Sequence, residues 1–356
     1  MTNNAFTQDS LAFNHVLNIL PFANSFDPKL SRKHSNANAV QMVLGLPPKI
    51  DLGGKTVKFY LLSRLVQDTV YNFCNSTDIS ISAQHVPKQV VSPQTLEMIQ
   101  RWSGAYWDFL ISNKEHQDHI VKFHHLMKYW AMRPDIQLPE HYSNIIVDEA
   151  QDTNGAFYQV LQNHIDRNFV VIGDRHQQLY KWRGAINTMN MFELPSKSLT
   201  MSRRFGDSIA QCANRVLEKH SVPPQDLIGG HNAINSKVIF YHPNEIFPGK
   251  TGAILTRTRT EVIAIAKNEL ELGNPISVKT EFNSTRYLCS NIIALAKNDR
   301  ERITHPYVSK CYSLSNLETE LENAPDGDIY FAFKLFRKYG EDVLRVIDHV
   351  EQMNQP

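Results

Sequence analysis

Cysteine is scarce and scattered. Cys74, Cys212, Cys289 and Cys311 form no CxxC pair, so their spacing suggests neither a zinc site nor a disulfide framework. Isolated thiols of this kind fit a reducing, cytoplasmic setting. No apolar run approaches the ~18 residues of a membrane span, so no membrane partner is expected. The first residues, Met1-Thr-Asn-Asn-Ala-Phe-Thr-Gln8, contain no basic segment followed by an apolar stretch, which argues against a signal peptide. Charge of one sign is missing too. The 37 Lys and Arg residues offset 36 Asp and Glu residues to a net +1, so a nucleic-acid surface would have to be a local patch. Repeats and low-complexity tracts are absent. What remains is a globular composition, 42% hydrophobic and 21% charged over 356 residues, which excludes wholesale disorder and allows two domains.

From Lys58 to Trp107 the pattern is mainly helical, with Phe59, Leu62, Leu65, Val66 and Val70 at helix spacing. The character changes near residue 144. Asn144-Ile-Ile-Val147 and Phe169-Val-Val-Ile172 are short, uninterrupted apolar runs, as expected of parallel strands buried on both faces. Each ends in acid, Asp148-Glu149 after the first and Gly173-Asp174 after the second. Gly155 to His164 is long enough for one crossover helix. This is a βαβ unit with carboxylates at the carboxyl ends of its strands, where open α/β sheets place ligands. A second α/β series is expected after it. Strands are read at Ser198–Met201, Lys237–Tyr241, Gly252–Leu255 and Ile276–Val278, and helices at Asp207–Lys219 and Thr260–Leu272. Further helices are read at Leu317–Glu322 and Ile329–Gln352.

The most specific string is Val147-Asp-Glu-Ala-Gln-Asp152. A strand-end Asp suits Mg²⁺, usually through water, and an adjacent Glu can orient and deprotonate an attacking water in nucleotide hydrolysis. The next string is Gly173-Asp-Arg-His-Gln-Gln-Leu-Tyr-Lys-Trp-Arg-Gly-Ala185. Taken alone, Trp182 reads as a core aromatic. Flanked by Lys181 and Arg183, it reads as a stacking platform for bases, which is sequence-tolerant because every base has a π-face. Ser198-Leu-Thr-Met-Ser-Arg-Arg-Phe-Gly206 adds an arginine pair, with Ile209-Ala210 following.

Together these strings resemble motifs II, III and IV of superfamily 1 DNA helicases of the UvrD/Rep type, closest to the F-box DNA helicase branch. The resemblance implies two RecA-like (P-loop NTPase) α/β lobes, both incomplete here, with helical insertions. Residues 1–45 and 116–197 would belong to the first lobe and 46–115 to an insertion in it. Residues 198–298 would be the front of the second lobe, and 299–356 the start of another insertion. The implied activity is ATP-dependent 3′-to-5′ translocation on single-stranded DNA, unwinding duplex in recombination or repair.

The implied roles follow the motifs. Asp148 would hold Mg²⁺ and Glu149 would be the base. Gln177 would sense the γ-phosphate and Arg204 would stabilise it, a task suited to a fixed, forked charge. Gln151, Asp152, Asp174 and Arg203 would contribute to nucleotide binding. Arg203 stands where the family carries an aromatic that stacks on adenine, a place where an Arg plane could stack by cation–π contact. Tyr180, Lys181, Trp182 and Arg183 would face DNA.

Three weaker matches extend the resemblance. Thr7-Gln-Asp-Ser-Leu-Ala-Phe13 is similar to the motif Ib region, which makes Ser10 a candidate DNA contact. Lys128-Tyr-Trp130 is similar to a family "Tyr, Leu, Lys, x, Trp" phrase. Gly252-Ala-Ile-Leu-Thr-Arg-Thr258 is similar to a strand of the second lobe and suggests a structural or nucleotide-lobe role for Arg257.

The family's phosphate-cradling loop, GxxxxGK[ST], is not found in this sequence. Gly53-Gly-Lys-Thr56 imitates its end, but Lys49 occupies the place of the first glycine. Nothing resembles the family's "Lys, x, Lys, Gly, Leu, Glu" phrase or its final arginine motif. The expectation is an incomplete motor that needs further segments for activity, with single-stranded DNA and a complementing helicase fragment as partners. The alternative is a non-catalytic remnant that binds single-stranded DNA or a protein.

Overall fold

The computed structural model describes residues 5–19, 26, 37–51, 56–88, 93–112, 121–179, 181, 184–219, 227–240, 252–256, 259–278, 282–305, 307–323 and 327–352. The chain divides into two compact units, Met1–Leu194 and Pro195–Pro356.

The first unit is built on helices α1 (Gln8–Val16), α2 (Ala37–Leu44), α3 (Phe59–Cys74), α4 (Pro93–Leu110), α5 (Phe123–Ala131) and α6 (Gly155–Gln162). The apolar spacing in α3 puts Leu62, Leu65, Val66, Val70 and Phe73 on one buried face. The facing stripe of α4 buries Ile99, Tyr106, Trp107 and Leu110. The 46–115 stretch read as a helical insertion also contains an antiparallel pair, β1 (Lys49–Asp51) with β2 (Thr56–Lys58). Residues 53–55 of the glycine pair imitating a phosphate loop lie outside the described residues. The described strands before and after them in the sequence, β1 and β2, pair antiparallel.

Strands β3 (Asn144–Val147) and β4 (Asn168–Val171) pair in parallel, in the register Asn144↔Asn168 to Val147↔Val171, with α6 as their crossover. This matches the expected βαβ unit. The expected burial on both faces is not met. Ile145, Val147, Phe169 and Val171 pack on the core, but Ile146 is 68% exposed and Val170 and Ile172 are exposed as well. The physical reason is the size of the sheet. Among the described residues the sheet has two strands with helices packed on one side, whereas parallel sheets usually carry helices on both faces.

The second unit departs further from expectation. Helix α7 (Asp207–Leu217) forms where it was read, as does α8 (Arg259–Glu271). They are followed by α9 (Asn283–Ala296), α10 (Leu314–Asn323), α11 (Gly327–Tyr339) and α12 (Val343–Gln352). Among the described residues of this unit no strand forms at 198–201, 237–240, 252–255 or 276–278. Met201 makes a single parallel bridge to Gly229. The unpaired runs leave Leu199 91% and Leu255 93% exposed. An extended segment becomes a strand only when a neighbour takes up its backbone groups and its apolar face is covered. The core of this unit is helical instead, with Ile263, Leu288, Ile292, Leu317, Ala332, Leu335 and Ile347 packed together. Arg286 ties α9 to α12 through Asp348 (2.6 Å) and Glu351 (2.5 Å). No described helix is long and apolar enough to cross a membrane.

Candidate nucleotide and nucleic-acid site

The parallel ladder continues past the formal strand ends and brings the two acidic strings side by side. Ile172 N–H donates to Val147 O (2.8 Å), and Ala150 N–H donates to Ile172 O (3.0 Å). Asp148 and Glu149 stand exposed at the end of β3. Asp148 Oδ1 accepts from the Glu149 amide (3.0 Å). Glu149 lies in the left-handed region at φ 51°, a conformation disfavoured by its Cβ and found preferentially where the surroundings impose it.

Those surroundings centre on Gln151, which is buried. Its Nε2 donates to Glu149 Oε2 (2.7 Å), and its Oε1 accepts from the Asp174 amide (3.0 Å). One amide side chain therefore fixes the direction of the Glu149 carboxylate and ties it to the end of β4. Gly173 leaves room for this. A Cβ there would come 2.5 Å from Gln151 Oε1. Thr188 Oγ1 secures the same turn by donating to Ala150 O (2.6 Å).

Asp174 caps the short turn that follows β4. Its carboxylate accepts from the His176 amide (2.9 Å) and from Gln177 Nε2 (2.8 Å). Gln177 itself is exposed. Asp152 reaches across to the second string, where its Oδ1 accepts from the Leu179 amide (3.1 Å). Gln178 Nε2 donates to both Gln151 O and Ala185 O, each at 3.1 Å. The structure thus brings Asp148, Glu149, Gln151, Asp152, Asp174 and Gln177 together at the carboxyl ends of β3 and β4. Among the described residues, no three His, Cys, Asp or Glu side chains converge as a ready-made metal cage. Mg²⁺ does not require one, since it takes one or two carboxylates and completes its shell with waters and phosphate oxygens. The exposed oxygens of Asp148 and Glu149 fit that donor set.

Of the residues read as facing DNA, Lys181 is exposed. Tyr180, Trp182 and Arg183 lie outside the described residues, as does Arg257. Ser10 uses its hydroxyl locally, donating to Thr7 O (3.0 Å) in the cap of α1. In the second unit Arg203 and Arg204 are both exposed in the bend before α7, and Arg204 N–H donates to Ser202 Oγ (3.2 Å). The sequence reading missed the supporting residues Thr188 and Asn75. Neither lies in a charged or glycine-rich string, so no local signal marked them.

Residues 65–197, which run from within α3 to beyond β4 and include both acidic strings, match the UvrD/REP helicase N-terminal domain. Over that stretch the chain is similar to the UvrD/REP helicases. F-box DNA helicase protein 1 of Schizosaccharomyces pombe is 30% identical over 216 residues, 56% of this chain and 24% of that protein. F-box DNA helicase 1 of Gallus gallus is 26% identical over 188 residues, 48% of this chain and 18% of the relative. ATP-dependent DNA helicase PcrA of Bacillus subtilis is 27% identical over 172 residues, 42% and 23% of the two chains. The chain therefore spans about a quarter or less of the length of these relatives. The family implies a RecA-like α/β fold, of which β3, α6 and β4 form a βαβ unit.

Proposed function

We propose that this chain is the motif II to motif IV portion of a UvrD-like DNA helicase. In this reading it holds parts of two RecA-like lobes, and the parent activity is ATP-dependent 3′-to-5′ movement along single-stranded DNA. The observation that carries the reading is the Gln151 strap, which aims Glu149 and joins it to the Asp174 turn at the ends of two parallel strands. A solvated Asp-Glu turn with no task has no use for a buried side chain that directs its carboxylate.

Asp148 would hold Mg²⁺ through water. When bound, that ion supplies neutralising charge for the phosphate oxygens. Glu149 orients and deprotonates the attacking water. Its direction is fixed in advance by Gln151, so Gln151 acts as a positioning residue rather than a nucleotide contact. Gln177 senses the γ-phosphate from the turn capped by Asp174, and Arg204 carries the fixed, forked charge suited to stabilising a γ-phosphate. Tyr180, Lys181, Trp182 and Arg183 bind single-stranded DNA by stacking and phosphate contact.

Two outcomes test the reading. The 356-residue chain by itself should turn over ATP negligibly, because positioning supplies most of the catalysis in phosphoryl transfer and this sequence has no GxxxxGK[ST] loop. A DNA-stimulated turnover in the ~1–100 s⁻¹ range of phosphotransfer enzymes, abolished by Glu149→Gln, would overturn the view that the chain is an incomplete motor. Single-stranded DNA should bind with micromolar or poorer affinity that falls with salt. Trp182→Ala should cost about 1–3 kcal/mol of that binding, the usual worth of one stacking aromatic. Unchanged affinity with a much lower melting temperature would instead make Trp182 a core residue.

A further inference from the structure

A buried lysine is costly unless its charge is answered, and Lys128 in α5 is fully buried. Its Nζ donates to the carbonyls of Ser76 (2.9 Å) and Asp78, and lies 4.4 Å from the centre of the Phe73 ring. Burial lowers its pKa to about 8, with Cys74 and Asp78 opposing the shift. Lys128 therefore holds the turn at the end of α3 from beneath. Asp78 is fixed from a second side by His85 Nε2 (2.9 Å).

The upper side of the same turn faces the acidic strings. Asn75 O accepts from the Gly155 amide (2.8 Å), and Asn75 Oδ1 accepts from Asn154 Nδ2 (3.1 Å). Asn75 Nδ2 donates back to Tyr71 O (2.8 Å). Two glycines let the backbones come this close. A Cβ on Gly155 would lie 2.6 Å from Ser76 C and 2.7 Å from Thr77 N. A Cβ on Gly184 would lie 2.7 Å from Asn75 Cβ, and Gly184 has φ +82°. Beyond Gly184, Ala185 bridges to Asn154, and Ile186 N–H donates to Thr153 O (2.9 Å). Gly184 to Ile186 thus rests against Asn75 on one side and the start of α6 on the other.

We propose that the Asn75–Asp78 turn, held by Lys128, is the seat that fixes Gly184–Ile186, and that Asn75 and Lys128 thereby act as positioning residues for DNA binding. The consequence for DNA rests on the reading of the Tyr180–Arg183 string given above. The seat itself does not. Neither residue contacts the carboxylates of the candidate nucleotide site, and no motif string marks Asn75.

The test is hydrogen exchange on the full chain, read at the Gly155 and Ile186 amides, alongside binding of a fluorescent oligothymidine and the melting temperature. Asn75→Ala removes the bond to Asn154 while keeping Cβ. Lys128→Met keeps the stem and removes both carbonyl contacts. Each should speed exchange at Ile186 about threefold to tenfold, the scale of one net hydrogen bond. Each should weaken oligothymidine binding by a comparable factor. Trp182→Ala should weaken binding without speeding exchange at Ile186, which separates contact from positioning. If Lys128→Met fails to fold, Asn75→Ala decides. Unchanged exchange at Ile186 in folded Asn75→Ala overturns the seat. Faster exchange in a chain whose wild type binds no oligothymidine upholds the seat and removes the DNA reading of the string.

Discussion

Between pH 7 and pH 5 the first unit should lose stability steeply, and His125→Gln should remove much of the loss. His125 is buried in α5, where its Nδ1 accepts from the Lys122 amide (3.0 Å) and its ring meets Trp107 edge-on at 6.1 Å. Burial pushes its pKa down from 6.5 to about 3, and the charge of Lys122 adds to the effect. Burial also lowers His164, whose Nδ1 donates to Val160 O (2.7 Å) while its Nε2 accepts from the Leu138 amide (2.9 Å). His85 and His15 shift in the same direction, again chiefly from burial. Below pH 6.5 the unfolded chain takes up protons that the folded unit refuses. Stability is therefore fully present above 6.5 and is lost as pH falls towards 3.

His125 alone should account for about 2 kcal/mol at pH 5, at 1.36 kcal/mol for each pH step below 6.5. That is a sizeable share of the ~5–15 kcal/mol that holds a typical domain. Gln at this position suits the test because the third residue of a helix, when Gln or Glu, can reach back to the cap amide as His125 does. Urea melts at pH 7 and pH 5 measure the slope. Equal slopes in wild type and His125→Gln would show that His125 does not carry it.

How much of this was legible in the sequence depended on the range of the forces involved. The βαβ unit could be read because its signals are local. Two apolar runs end in acid, and the segment between them has the length and spacing of a helix. Helices α7 and α8 were legible for the same reason. The expected strands of the second unit were not, because a strand needs a partner that sequence does not supply. Ser198–Met201 has strand composition, yet it meets only Gly229. The candidate site divides in the same way. The chemical types of Asp148 and Glu149 are visible in the string, but the strap through Gln151 spans 23 residues to Asp174, and the seat spans 79 from Asn75 to Asn154. No periodicity reports contacts of that length. Gln151 illustrates the limit. Its place in the string suggested a nucleotide contact, and nothing in the string announced that the side chain is buried and bonded to Glu149 Oε2.

Gly230→Ala should lower the melting temperature of the second unit by about 6–12 °C, whereas Gly229→Ala one residue earlier should leave it nearly unchanged. The two glycines sit in one clasp. Gly229 N–H donates to Thr200 O (2.6 Å), Ser202 N–H donates to Gly229 O (2.9 Å), and His231 N–H donates to Phe205 O (2.9 Å). Asn214 in α7 holds the preceding Ile228 by both its amide and its carbonyl, at 2.9 and 2.8 Å. The clasp fixes the bend that carries Arg203 and Arg204. A methyl on Gly229 would meet only Thr200 O at 3.7 Å, an ordinary contact. A methyl on Gly230 would fall 2.1 Å from Gly206 C and 2.2 Å from Asp207 N. Both are backbone atoms and cannot rotate away. Gly206 is itself closely packed on another side, where a Cβ would stand 2.0 Å from Ile234 O. Overpacking against an unyielding backbone costs about 3 kcal/mol, and each kcal/mol shifts a unit of this size by about 2–4 °C. The same displacement moves the arginine pair, so any nucleotide-dependent property that requires Arg204 should weaken in Gly230→Ala and survive in Gly229→Ala. Calorimetry of the two variants decides the matter. Equal melting temperatures would mean that the segment is not clasped as described and that nothing in this bend holds Arg204 in place.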